Sequence, residues 1–184
     1  MALGDARLRS ERIRTAGELL LDDPEACHVY AWSFRHEPAS VSEYVETVDV
    51  NERQARLAAN RLQAHGLVEE TASGVTVDPI HETVEDVHVT PGVTAVLAVQ
   101  LENYNVRRFV RRHGSRSLAA AVACWPLIER DVLTSREVGE TIGVGQRDGV
   151  TATNALRAVE EYLDADPHLD EISPPAVEGS SPWA

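Results

Sequence analysis

Between residues 40 and 79 the sequence is punctuated at every boundary, and the order of those marks leaves few ways to fold it. Ser40-Val41-Ser42-Glu43 is a Ser-x-x-Glu capping box, whose side chains satisfy the orphan N–H groups of a helix start. Val41, Tyr44, Val45 and Val48 then recur on one side of a short helix. Residues 47–50 make a turn. Asn51 suits the cap of a longer helix through His65, and Gly66 can take the left-handed conformation that ends it. Residues 67–70 and 75–77 alternate like two short strands joined by 71–74, and Pro79 closes the unit.

The end of the long helix, Leu62-Gln63-Ala64-His65-Gly66-Leu67-Val68, fits the Leu-x-x-x-Gly-Leu-Val pattern that precedes a wing. With the elements before it in order, residues 24–79 resemble the winged helix-turn-helix transcriptional regulators, including the TrmB-like and ArsR-like groups. The whole chain is similar, more loosely, to small regulator-type proteins of halophilic archaea that join such a domain to a helical one. The resemblance implies that the long helix enters the DNA major groove while the hairpin lies along the flanking backbone. It also implies a dimer, because operators are usually read by two-fold pairs.

The residues of the long helix suit that expectation. Ala55, Ala59 and Leu62 recur at helical spacing and face the core, with Val50 just before them. Asn51, Glu52, Arg53, Gln54, Arg56 and Asn60 are left outward, and Arg61 adds positive charge. Arginine reads guanine bidentately, and glutamine or asparagine reads adenine. Glu52 accepts from cytosine N4 or simply favours the helix start; both roles stay open. Leu57 fits neither face, and a thymine methyl or the underside of the hairpin would suit it. The hairpin is weak for DNA: residues 69–74 carry two glutamates and no arginine, leaving Ser73 and backbone amides as its contacts.

Elsewhere the pattern is helical. A first helix starts at Ser10, with Ile13, Ala16, Leu19 and Leu20 at helical spacing, and Asp23-Pro24 opens a second that ends before Pro38. Residues 81–89 read as a connector or strand. Thr90-Pro91 starts a helix to about Glu102, Asn105 caps another ended by Gly114, and Ser115 starts a third. Thr134-Ser135-Arg136-Glu137 is a second capping box, and a last helix follows Gly149 to Leu163. Residues 164–184 hold four prolines and several acids, which predicts a disordered tail.

Setting each residue against the one 94 positions later reveals an internal similarity. Ser40 pairs with Thr134, Glu43 with Glu137, Thr47 with Thr141, Arg53 with Arg147, Asn60 with Asn154 and Leu62 with Leu156. The second copy lacks the Gly-Leu-Val and the wing, and its flanks are acidic. An assembly module fits it better than a second DNA reader.

Charge narrows the chemistry. Thirty acids face 17 basic residues for a net −13, and every basic residue is arginine. Without lysine there is no Walker-type phosphate loop and no Schiff-base lysine. An acidic, lysine-free surface suits multimolar salt, so a halophilic source is expected. One basic island breaks the pattern: residues 105–116 hold Arg107, Arg108, Arg111, Arg112 and Arg116 and no acid. On an amphipathic helix they form a stripe, either of phosphate contacts or of assembly contacts with acidic surfaces. Gly143, Gly145 and Gly149 follow a helix rather than a strand, so a turn explains them better than a dinucleotide site. The seven histidines lack metal-ligand spacing, and Cys27 and Cys124 belong to no CxxC pair.

The expected protein is mainly α with a small β-wing. Its parts are an N-terminal helix or arm (1–23), a winged helix-turn-helix domain (24–80), a helical assembly domain (81–163) and the tail (164–184). The expected function is sequence-specific binding of double-stranded DNA to regulate transcription, with no catalysis, metal or cofactor and an unknown effector. The DNA contacts are Asn51, Glu52, Arg53, Gln54, Arg56, Asn60, Arg61 and Ser73. A homodimer is expected, joined through the first helix and residues 105–130. No run approaches the ~20 apolar residues of a membrane span, and no signal peptide is visible, which predicts a cytoplasmic protein. The competing class is a winged-helix module of a plasmid, virus or replication system that binds protein instead. A sensor using Cys27 or Cys124 is a third reading.

Overall fold

The structure is a computed structural model that describes residues 2–48, 50–72 and 74–169. Its architecture is mainly helical with two small antiparallel hairpins. Helices apolar on most sides go to the middle, and α2 (Pro24–Arg35) is such a helix, with Ala26, Cys27, Val29, Tyr30, Ala31 and Trp32 buried. Asp23 caps it, accepting from the N–H groups of Glu25 and Ala26 at 3.1 and 3.0 Å, with Pro24 in its first turn. The Tyr30 hydroxyl donates to the Asp78 carbonyl and accepts from the Ile80 N–H at 2.7 Å, fastening α2 to the chain beyond the first hairpin.

The sequence starts the first helix at Ser10, but α1 runs Ala2–Asp22. Residues 2–9 are rich in Ala, Leu and Arg, good helix formers, and nothing there stops a helix. Ala16, Leu20 and Leu21 are buried, and α1 packs on α2, on the helix over Glu52–His65 and on the second hairpin. The C-terminal part of α1, from Ala16, is therefore built into the core.

Local capping then unfolds much as the sequence predicts. Ser40 Oγ accepts from the Glu43 N–H, and Glu43 accepts from the Ser40 N–H at 2.6 Å, starting α3 (Val41–Val48). Asn51 caps α4 (Glu52–His65), and Gly66 ends it at φ 73°. Arg12 of α1 donates to the Ala64 carbonyl in the last turn of α4. Strands β1 (Val68–Thr71) and β2 (Gly74–Val77) pair antiparallel, Val68 opposite Val77, and Ala39 adds a bridge to Val75. Within α4 the buried set is Ala55, Ala58 and Leu62; Ala59 is only half-buried.

Residues 81–89 are a second hairpin, β3 (Glu82–Val84) with β4 (Val87–Val89), turning at Glu85. It is followed by α5 (Pro91–Ala98), wholly buried, and a 3-10 turn at Val99–Leu101. Helix α6 (Tyr104–His113) is capped by Asn103, not Asn105, because the Asn103 side-chain carbonyl accepts from the N–H groups of Asn105 and Val106. Next come α7 (Ser115–Val122) and the short α8 (Trp125–Glu129). The second capping box, Thr134 with Glu137, starts α9 (Ser135–Thr141).

Helix α10 (Gln146–Arg157) begins three residues before the Gly149 start that the sequence suggests. Gly149 lies inside the helix, where a Cβ would stand 2.5 Å from the Gly139 nitrogen. Its role is close approach of α9 and α10, not chain reversal. The last helix breaks at residues 158–159, and α11 (Glu160–Asp164) follows. Beyond it Asp166 is buried and accepts from the Gly92 N–H at 2.8 Å, and Leu169 is buried too, so order extends past residue 163. The predicted tail from residue 170 lies outside the described residues.

Because α2 packs against both α4 and α5, one hydrophobic core runs from Ala16 to Leu169 and crosses the boundary drawn at residue 80. That core also takes up much of the apolar surface of the two dimer candidates: Ala16, Leu20 and Leu21 of α1 are buried, with Ile13 and Leu19 half-buried, and Val106, Phe109, Leu118, Val122 and Ile128 are buried within the chain. Among the described residues no helix is long and apolar enough to cross a membrane.

Candidate nucleic-acid interface

Helix α4 is held on three sides. Ala55, Ala58 and Leu62 face inward, Asn51 fixes its start through a 3.2 Å bond from the Gln54 N–H, and α3 crosses beside it. Glu52, Arg53, Gln54, Arg56 and Asn60 are all exposed, so the outward face is the one the sequence predicts. Leu57 joins them at 52% exposure and is therefore not buried beneath the hairpin.

The exposed residues are not equally available. Glu52 and Arg56 pair with each other at 2.8 Å, one helical turn apart. Exposed pairs of this kind contribute only a few tenths of a kcal/mol, so a stronger anion displaces Glu52 at little cost. Arg53 makes no hydrogen bond or ion pair among the described residues. Arg56 and Asn60 line a cleft of about 190 Å³ with Ser40, Ser42, Glu70 and Val75, between the helix and the hairpin. Asn51 and Gln54 border another, of about 170 Å³, with His28, Tyr44 and Leu101.

Arg61 is different. Its guanidinium lies 2.7 Å from Asp23 and 3.8 Å from Glu25, at the start of α2. Asp23 Oδ2 is buried and receives no well-aligned hydrogen bond, so the contact with Arg61 is ionic. Arg61 therefore braces α4 against α2, a role with no local signal in the sequence. Ser73 lies outside the described residues. The neighbouring Glu69 and Glu70 are exposed on β1, leaving the hairpin edge acidic.

The basic island divides as well. Arg107 turns back to the carbonyls of Gln100 and Leu101 at 3.0 and 2.5 Å and finishes the 3-10 turn. Arg112 and His113 both reach Asp148 at the start of α10, at 3.3 and 2.8 Å. The bond with His113, helped by Arg112, holds the Asp148 carboxyl below the usual aspartate range. Arg116 pairs with Glu85 at the turn of the second hairpin. Arg108 and Arg111 are exposed with no partner among the described residues. Tyr104, absent from the expected site, heads the same stripe at 68% exposure; its spacing of four and seven to the two arginines is the signal that marks it.

The thiols are placed for packing. Cys27 donates to the Leu20 carbonyl at 2.7 Å, and burial pushes its pKa well up; burial raises Cys124 to about 11. Neither supplies the exposed, low-pKa thiolate that a redox sensor needs. Among the described residues no group of three or more His, Cys, Asp or Glu is placed to hold a metal ion. His81 stacks on His168 with ring centres 4.2 Å apart, a contact invisible in sequence spacing.

Comparison with protein-family models, with curated proteins and with solved structures found no match to the chain.

Proposed function

We propose that the chain is a winged-helix regulator that binds double-stranded DNA in a sequence-specific way through α4, without catalysing a reaction. The observation that carries this reading is the exposed face of α4. A helix fixed at both ends by Asn51 and Gly66 turns Arg53, Gln54, Arg56 and Asn60 outward beside a two-stranded hairpin. Those side chains can pair with guanine and adenine edges. Arg53 is the leading base-reading or phosphate-contacting residue, since nothing within the described chain competes for it. Arg56 joins once Glu52 releases it. Reading a palindromic site would bring two copies together.

One observation favours the competing reading, a module that binds protein. Leu57 is half-exposed on the same face, and Glu69 and Glu70 flank it with negative charge that repels phosphate. A genome-wide pull-down in native salt separates the two. Specific DNA peaks that vanish in Arg53→Ala/Arg56→Ala support the proposal, and peaks that survive it refute the assignment to α4. An absence of peaks in the wild type favours protein binding. A salt titration adds a second check. With a net −13 charge, affinity should fall only weakly with salt or rise, and a steep loss would contradict the halophilic expectation.

A further inference from the structure

We infer that α10, together with α6, forms a second surface for duplex DNA, and that this surface is electrostatically the stronger of the two. The inference rests on the DNA-binding reading and extends it to a region the sequence assigns to assembly.

The internal similarity is now a structural one. Helix α4 starts at Glu52 and α10 at Gln146, and both pairs of helices open on a realised capping box. Tyr44, Ala55, Ala58 and Leu62 are buried in the first pair, and their counterparts Val138, Gly149, Ala152 and Leu156 are buried in the second. The outward stripes correspond too. Arg53, Arg56, Asn60 and Gln63 are exposed along α4; Arg147, Val150, Asn154 and Arg157 are exposed along α10.

The two helix pairs are alike in charge, and what lies beside each makes the difference. Helices α3 and α4 carry three arginines and three acids, and the adjoining hairpin adds two glutamates. Helices α9 and α10 likewise carry three arginines and three acids, and α6, which packs on α10, adds four arginines and no acid, for seven arginines and three acids in all. In a chain of net −13 that is a local excess of positive charge.

The three acids are also occupied. Glu137 closes its capping box, Glu140 bonds to Gln146, and Asp148 holds Arg112 and His113. Arg108, Arg111, Arg147 and Arg157 have no partner among the described residues. Asp148 pins the end of α6 to the first turn of α10 through Arg112 and His113, so the two arginine-bearing helices are held side by side.

Duplex DNA fits this surface better than a second copy of the chain does. Stable protein interfaces have an apolar centre, yet among the described residues the large hydrophobic side chains exposed on α6 and α10 are only Tyr104, at 68%, and Val150, at 37%. A polar stripe of Arg and Asn flanked by unpaired arginines suits base edges and phosphates instead.

The test measures binding to a duplex of about three helical turns, selected from a random pool by the wild-type chain. Arg111→Ala/Arg147→Ala/Arg157→Ala should weaken binding by roughly tenfold or more, with circular dichroism unchanged. Arg53→Ala/Arg56→Ala weakens binding independently. Hydroxyl-radical footprinting should show segments whose protection is lost in Arg111→Ala/Arg147→Ala/Arg157→Ala and different segments whose protection is lost in Arg53→Ala/Arg56→Ala; loss of the same segments in both would overturn the inference. Unchanged affinity in the triple variant, with loss in Arg53→Ala/Arg56→Ala, overturns the second surface and keeps the first. Unchanged affinity with a dimer dissociating in sedimentation assigns the face to self-association and also overturns it. Failure of the wild type to select any duplex overturns both readings.

Discussion

Helices α3 and α4 and helices α9 and α10 occupy matching registers 94 residues apart, yet they are held together by different means. The first pair closes on side chains, with Ala55 buried and Val45 half-buried. In the second pair those positions are Gly149 and Gly139, and backbone meets backbone. The first is braced from outside, by Arg61 on Asp23 and by Arg12 on Ala64. The second is braced through Asp148 to α6. One layout thus tolerates two ways of packing, but each makes its own positions sensitive.

The most disruptive test of that contrast is a methyl group. Gly149→Ala places a Cβ 2.5 Å from the Gly139 nitrogen, where only backbone movement makes room. We expect a loss of about 3 kcal/mol, read as a lower denaturant midpoint. The reciprocal change, Ala55→Gly, should cost only about 1 kcal/mol, mainly through helix propensity. Equal costs would mean the two pairs pack alike.

The braces come next. Arg61→Ala leaves the nearly buried Asp23 without its cation and should destabilise the chain by about 1 kcal/mol. Arg157→Ala, with no partner among the described residues, should stay within roughly 0.5 kcal/mol of wild type in thermal unfolding. If Arg61→Ala is as silent as Arg157→Ala, Arg61 is a solvated residue and returns to the candidate DNA contacts.

The smallest effect is one the two pairs should share. Glu43 and Glu137 are held below the usual glutamate range by the backbone N–H and the hydroxyl of Ser40 and of Thr134. A carboxylate whose pKa is lowered on folding contributes stability above its unfolded pKa, and the contribution disappears as pH falls through the folded value. Glu43→Gln and Glu137→Gln should each flatten the acid side of the stability–pH curve slightly, and by similar amounts. A change in only one of them would show that one box is not formed in solution.

What the sequence disclosed was local. Ser40, Asn51, Gly66 and Thr134 act on their own neighbours, so the helices they bound were readable nearly to the residue. Boundaries shift where a residue type has two uses. Gly149 resembles a stop signal until Gly139 is seen against it, and Asn103 and Asn105 are equally good caps on paper. Ala58 and Ala59 are indistinguishable by period until Ala58 is found fully buried. The second hairpin turns at Glu85 with φ 56°, without the Asn-Gly or Asp-Gly that would announce it. The candidate site fared likewise. Exposure of Arg53, Gln54, Arg56 and Asn60 followed from helical period, whereas the partners of Arg61, Arg112 and Arg116 lie dozens of residues away and leave no mark in spacing.

The core shared by α2, α4 and α5 has a consequence for any duplex that touches both stripes at once. Among the described residues that core runs unbroken between the two halves and holds the distance and the angle between α4 and α10. The protein would act as a ruler with fixed marks. Inserting about five base pairs between the two contact points turns one of them to the far side of the helix, and only twisting of the DNA could bring it back into phase.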